Sequence, residues 1–508
     1  MKNIFFTILS FLFAISVNAQ LINDGASIIV EDGATLFIEG ALQNNTTGSI
    51  DIQGTGIVEV EGDVTNAATA TITMSNTAKL VLSGPNAADV TSGGATFTNV
   101  EMDKTSNNIS LLDEMRISVD LNFVGNNNKV LIGNNNLVFA PSATITSADD
   151  NEYIVADGDA TTGVVSKEYT ANENFKFEIG DATNYTPLNA NVSGSGYASA
   201  TVDVNVVPMK QPNAPLEATD FISRYWNVDE TGITDFSADL TGTYVPGDVT
   251  GNAADVKGAH YSTGWTYDGA AAAANDAIGT IAESGDFTGT NEFGLADLKI
   301  FLQGPYSGGT MTTALNAALI PLTSPYDPTV TVASIPANVT DWINVELRDA
   351  TTPSTLLSSN SAFLKNDGSI VGLDGSSLAF LKNPNATTGH IVIEHRNHLN
   401  IRTATAYDFS TSNLYDFSTA LGQAFDDPGI TLNDAMVDLG GGVFGMWRCN
   451  VNSDNFVNIV DAVFARINSN PSQIGVYDTH DVNLDGNVNI LDSALTRLQS
   501  NPTKTAHQ

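Results

Sequence analysis

Residues 27–48 read SIIVEDGATLFIEGALQNNTTG, and residues 49–70 read SIDIQGTGIVEVEGDVTNAATA. Laid one over the other they agree column by column, and a third copy starts at Thr71. Ile28, Ile50 and Ile72 share one phase, and Val30, Ile52 and Met74 another. Leu36, Val58 and Leu80 follow, then Ile38, Val60 and Leu82, and Gly40, Gly62 and Gly84 close the copies. Inside each copy apolar residues alternate with polar ones, which is the strand period of two. A fixed 22-residue period with strand alternation describes one coil of a solenoid, which buries its apolar face only by stacking on the next coil. Asn44 and Asn66 add a recurring turn position able to ladder between neighbours.

Beyond Gly84 the register loosens, but GATFTNVEMDKT (94–105), NNKVLIGNNNLVFAP (127–141) and SATITSADDNEYIVAD (142–157) keep the strand-and-turn rhythm. The solenoid is therefore expected over residues 20–160. From there NFKFEIGDATNYTPL (174–188), ATVDVNVV (200–207) and DFISRYWNVDE (220–230) are richer in aromatic residues, with a Pro-bearing link at 209–217. Val202, Val204 and Val206 share one face, so an antiparallel sandwich is expected over 161–296. The alanine run 270–274 is too short for a stable helix and reads as a loop.

At 508 residues the chain has room for about three or four domains. Its 57 acidic and 20 basic residues give a formal charge of -37, which disfavours nucleic acid and anionic membranes as partners. Lys2, an apolar run from Ile4 to Val17 and the small-residue site Val17-Asn18-Ala19 spell a secretory signal peptide over 1–19, cut before Gln20. No later stretch is apolar for eighteen residues, so membrane insertion is not expected. The single Cys449 makes no internal disulfide, so an exported chain of this kind relies on burial, repeats and metal.

A third β region runs from LKIFLQGPYSGG (298–309) to DLGGGVFGMW (438–447). Its segments FLQGPY, LIPLTSPY, DWINVELRD, HRNHLNIRTA and DLGGGVFGMW resemble a module near the C-termini of large exported adhesin- or hemagglutinin-like surface proteins of Gram-negative bacteria. The resemblance covers about 297–447, implies an immunoglobulin-like β-sandwich just ahead of calcium repeats, and implies no activity.

Residues 481–492, DVNLDGNVNILD, have the spacing of an EF-hand-type loop, with oxygen ligands at positions 1, 3, 5, 7, 9 and 12 and a tight turn at position 6. The ligands would be Asp481, Asn483, Asp485, the Asn487 carbonyl, Asn489 and Asp492, with Gly486 at the turn. Thirty-one residues earlier NVNSDNFVNIVD (450–461) offers Asn450, Asn452, Asp454, the Phe456 carbonyl, Asn458 and Asp461. Asn455 takes the place of the glycine, and asparagine adopts the left-handed conformation more readily than most residues. With two carboxylates against three, the first loop is expected to hold Ca2+ more weakly.

After each loop the apolar positions 459, 460, 463, 464, 467 and 490, 491, 494, 495, 498 follow helical spacing. Loop plus helix, twice at this interval, resembles the dockerin type I repeat, and the resemblance implies the same calcium ligands over a domain at 448–508. Cellulosomal dockerins often carry hydroxyl-bearing residues just before the last ligand, where cohesin is recognised. Here stand Ile459-Val460 and Ile490-Leu491, which are expected to pack on the neighbouring sandwich and put a cohesin-type partner in doubt.

No nucleophile elbow, P-loop or dinucleotide fingerprint occurs. His395 and His398, three apart, read as opposite faces of a strand and as a hydrogen-bonded structural pair rather than a metal site. Glu39 and Glu61 would stack about 4.8 Å apart on adjacent coils, but an acidic solvated face explains them, and no Lys or Arg occurs between Gln20 and Ala78 to serve a lyase. The chain is thus expected to be all-β and multidomain: a solenoid, two β-sandwiches and a small helical calcium domain. The expected role is that of a secreted, non-catalytic surface adhesin or scaffold, with an extracellular glycan or another surface protein as partner. The alternative is a carbohydrate-active protein, glycan-binding or polysaccharide-hydrolysing, that docks through its dockerin-like end.

Overall fold

In a computed structural model of the chain, the described residues are 19–125, 127–158, 163–271, 275–315, 318–382, 387–411 and 413–507. The expected signal peptide lies outside them, apart from Ala19. Strand makes up 48% of the chain and helix 7%, so the all-β expectation holds, with a β-solenoid of about 7 turns and two late helices.

The first coil is β1 (Leu21–Asp24), β2 (Ser27–Val30) and β3 (Thr35–Ile38), and the second is β4 (Leu42–Asn45), β5 (Ser49–Ile52) and β6 (Ile57–Val60). The third is β7 (Val64–Asn66), β8 (Thr71–Met74) and β9 (Lys79–Gly84). Every apolar column of the repeat is a parallel Cα partnership: Ile28 with Ile50 and then Ile72, Leu36 with Val58 and then Leu80. Ile50, Ile52, Val58, Val60 and Leu82 are buried as a result. The glycine column is needed where coils touch, because a Cβ on Gly62 would lie 2.7 Å from the carbonyl carbon of Gly40.

The asparagine ladder has three members rather than two. Asn23 donates to Asn44 Oδ1 (2.9 Å), and Asn44 donates to Asn66 Oδ1 (2.8 Å). Asn66 then donates to the carbonyl of Ser92 (2.9 Å). All three asparagines are buried, so each amide satisfies the next inside the turn.

Parallel pairing continues past residue 160. Strand Val165–Tyr169 pairs in parallel with Leu137–Phe139 on one side and antiparallel with Gly196–Val207 on the other. On another face the parallel ladder reaches Ile179–Gly180. The antiparallel strands that follow extend the same sheet as far as Trp265–Ala271, and Val202, Val204 and Val206 are buried in it. One hydrophobic core runs from Val30 to Phe287 without a break. The alanine run is not wholly a loop: Ala270 and Ala271 belong to strand Trp265–Ala271, where the ladder to Lys257–Tyr261 supplies the order that local propensity lacks. Residues 272–274 lie outside the described set.

The chain divides into two compact units, an N-terminal one (Met1–Gln211 with Ile222–Gly289) and a C-terminal one (Pro212–Phe221 with Thr290–Gln508). The C-terminal unit is built on an antiparallel sheet in which Val339–Asp349 lies between Leu356–Lys365 and Thr388–His395. Its core gathers Trp342, Phe363, Leu347, Ile391 and Ile393. The helices are α1 (Ile459–Asn468) and α2 (Ile490–Gln499). Among the described residues no helix is long and apolar enough to cross a membrane.

Candidate calcium loops

Each helix starts where its loop ends, and the same side chains perform both tasks. Asn458 and Asn489 are the N-caps, accepting from the amides of Val460 (2.7 Å) and Leu491 (2.8 Å). Asp461 and Asp492, the twelfth residues, close the capping boxes by accepting from Asn458 N (2.8 Å) and Asn489 N (2.9 Å). Their other oxygens take the amides of Val451 (2.9 Å) and Val482 (3.0 Å) across the loop. The seventh residues open short strands: Phe456–Val457 pairs with Lys504–Thr505, and Asn487–Val488 pairs with Gln473–Ile474. Both repeats close on a cis Asn–Pro bond.

The sixth residues have positive φ, +66° at Asn455 and +83° at Gly486, so asparagine fills the glycine role. At the first position the loops diverge. Asp481 accepts from Gly486 N (2.8 Å) and Asp485 N (3.1 Å), whereas the buried Asn450 Oδ1 has no hydrogen-bond partner. Asn452 donates to Asp454 (2.8 Å) and Asn483 to Asp485 (3.0 Å), so the third and fifth residues lock together in both loops.

Asp461, Asp481 and Asp492 are fully buried. Burial is the first cause that raises all three carboxyls, with neighbouring aspartates adding to it, and Asp481 is pushed up to about 7. The carboxylates bond to loop amides rather than converge: among the described residues no three His, Cys, Asp or Glu side chains form a metal-holding group. The remaining donors are amide and carbonyl oxygens. An all-oxygen set with buried, mutually repelling carboxylates and an unmatched Asn450 oxygen has the chemistry a hard divalent cation requires.

The loops are stitched into the antiparallel sheet beside them by residues that sequence reading missed. Arg396 donates to the carbonyl of Asp478 and stacks on Tyr477 at 4.3 Å. Asn397 donates to the carbonyls of Thr479 (3.0 Å) and Asp481 (2.8 Å), and Tyr477 donates to Asp341 (2.7 Å). Leu484 belongs to the core of the sheet, while Val451, Val457, Val482 and Leu399 form a smaller one with Cys449. Cys449 is a free thiol, and burial pushes it up to about 12. The expectation that Ile459-Val460 and Ile490-Leu491 pack on the neighbouring β module is not met. Ile459 is 68% exposed and Ile490 75%, because small and polar residues (Ala462, Ala465, Ser493, Thr496) fill the inner helix faces.

His395 and His398 do pair, but across a hairpin rather than on opposite faces. A tight turn at Arg396-Asn397 sets them opposite one another. The amide of Gly304 donates to His398 Nε2 (3.2 Å), so the proton of His398 sits on Nδ1, between His395 Nδ1 (3.0 Å) and Asn397 Oδ1 (2.8 Å). His395 Nε2–H then donates to Asp341 Oδ2 (3.2 Å). Burial pushes the Asp341 carboxyl up, but the Arg396 charge and His395 outweigh it and leave it at about 2. Burial first holds both imidazoles below their ordinary 6.5. A histidine lowered on folding contributes stability above 6.5 that is lost as pH falls below it. As pH falls from 6.5 toward 5 the two imidazoles should weaken the melting of the C-terminal unit. The raised Asp481 carboxyl, which takes its proton first in the folded chain, works in the opposite direction, so the histidine part is read as the difference between the parent and His398→Asn. A pH dependence of melting that is the same in the parent and in His398→Asn would count against this histidine arrangement.

Glu39 and Glu61 follow the partnered residues Ile38 and Val60 at equivalent positions of adjacent coils, exposed and half-buried respectively. No protein-family profile, curated protein or solved structure matches this chain.

Proposed function

We propose that the chain is a secreted, non-catalytic surface adhesin or scaffold whose calcium-stabilised, dockerin-like end docks a partner protein. The observation that carries this reading is the outward apolar stripe on both helices. Ile459, Val460, Phe464 and Ile467 on α1 are exposed, and so are Ile490, Leu491 and Leu498 on α2. Burying such side chains contributes about 1.5–3 kcal/mol each, so seven of them form a docking face rather than scattered surface residues. Arg466 and Arg497 recur beside the stripes in a chain of charge -37, so the face suits an apolar partner surface rimmed by carboxylates.

A second reading, a glycan-binding protein, is favoured by one feature of the N-terminal unit. Asp203, Asn205, Asn227, Asp229, Glu283 and Asp286 line an open cleft of about 680 Å³. Tyr261 edges it, and Trp265 lies 5.3 Å from Tyr261 and stacks with Tyr267 at 6.3 Å, a ring platform of the kind sugars use. One experiment separates the readings. Labelled intact protein in calcium should attach to the outer surface of the exporting cells, and Ser at 459, 460, 490 and 491 together should weaken attachment about 100-fold. Attachment that survives those changes and is competed by soluble glycan would replace the docking reading with the second.

A further inference from the structure

The buried arginines of this chain come with carboxylates. Arg224 is held by Asp181 and Asp248, and Arg396 by Asp341. The half-buried Arg116 and Arg348 pair with Glu168 and Glu346. Arg402 breaks this pattern. It is 6% exposed, its Nε has no hydrogen-bond partner, and among the described residues its guanidinium has no carboxylate in ion-pair range. The guanidinium lies over the ring of Phe425 at 3.9 Å, which fixes its plane. In a chain with 57 carboxylates and 20 basic residues, an internal partner was not scarce.

The surroundings point outward for that partner. Arg402 borders an open cavity of about 430 Å³ together with Arg348, Pro353, Ser354 and Val392. Glu346, opposite Val392 in the sheet, lies two strands from Arg402 and is taken by Arg348. His390, on the strand between, bonds to Thr403 (3.1 Å), and burial first holds its imidazole below the ordinary 6.5. Two guanidinium groups thus meet at one cavity with a single carboxylate between them. Burying a cation without a counter-charge is costly, and a planar guanidinium fork matches a carboxylate or sulfate through paired N–H bonds.

We propose that this cavity binds a small organic oxyanion, a carboxylate or sulfate carried on a ring-sized body, with Arg402 as the primary fork and Arg348 as the second. Pro353 and Val392 supply an apolar wall for the body of the ligand, and the cavity falls in the size range of small-molecule sites. The proposal concerns a different surface from the helix stripes and stands apart from the calcium loops.

Calorimetric titration of the intact protein at fixed free calcium, with glucuronate, glucose 6-sulfate and neutral glucose as probes, tests it. One or both anions should bind saturably and glucose should not. Arg402→Gln should weaken anion binding by about tenfold or more, with Arg402→Lys in between. Should Arg402→Gln fail to fold, Arg348→Gln at the more exposed partner should weaken binding severalfold in a folded protein. Absence of binding by both anions, binding unchanged in the folded variants, or equal binding of glucose would overturn the proposal. Comparing the two anions tells carboxylate from sulfate.

Discussion

Replacing Val60 with Asp should unfold the N-terminal unit. Val60 is fully buried between Ile38 on the coil before and Leu82 on the coil after. An ionised carboxylate there has no partner, and burying one uncompensated is among the few single changes that cost more than about 4 kcal/mol. In a stack of coils each depends on its neighbours, so the damage spreads along the axis. The unbroken core from Val30 to Phe287 sets how far. Loss of hydrogen-exchange protection should extend past residue 160 to the end of the unit near Gly289, while the C-terminal unit keeps its protection. Protection lost only over 20–160 would show that the solenoid folds apart from the strands after it. No loss at all would sink the stacked-coil architecture.

What could be read in the sequence follows from the range of the interactions involved. The 22-residue columns were legible because each sets three residues on successive coils and so records the same contact between neighbours twice. Asn23 escaped because the first coil is one residue shorter: its partner Asn44 lies 21 positions on, off the period. Near residue 160 the pairing changes within one strand, since Val165–Tyr169 pairs parallel on one side and antiparallel on the other. Strand alternation is the same in either case, so nothing local marks the switch.

The helices teach a different lesson. Spacing at 459, 460, 463, 464 and 467 specified a helix and its apolar stripe, but not which way the stripe faces. Asp461 and Asp492 fix that direction: as third residues of their helices they are drawn inward to the loop amides, carrying Ala462 and Ser493 with them. The clamp of Arg396 and Asn397 on the second loop was invisible because its partners are more than eighty residues away.

The two loops should bind calcium unequally, and a single oxygen-for-nitrogen exchange should remove the inequality. The second offers Asp481, Asp485 and Asp492, the first Asp454 and Asp461, and affinity rises with ligand charge. Asp485→Asn leaves the second loop with two carboxylates and should convert the tighter of two calorimetric events into one like the weaker. Asn450→Asp gives the first loop a third carboxylate where an oxygen now lacks a partner, and should tighten the weaker event. Calcium at about 1,000 times its dissociation constant contributes about 4 kcal/mol to whatever folds with the loop. That body is larger than the 61 residues from 448 on, because Leu484 lies in the core of the sheet and Tyr477, Arg396 and Asp341 lock across the junction. Chelation should therefore lower the melting of the whole C-terminal unit and leave the N-terminal transition where it was. Two equal binding events in the parent protein would refute the ranking of the loops, and a C-terminal transition indifferent to chelator would refute the calcium assignment.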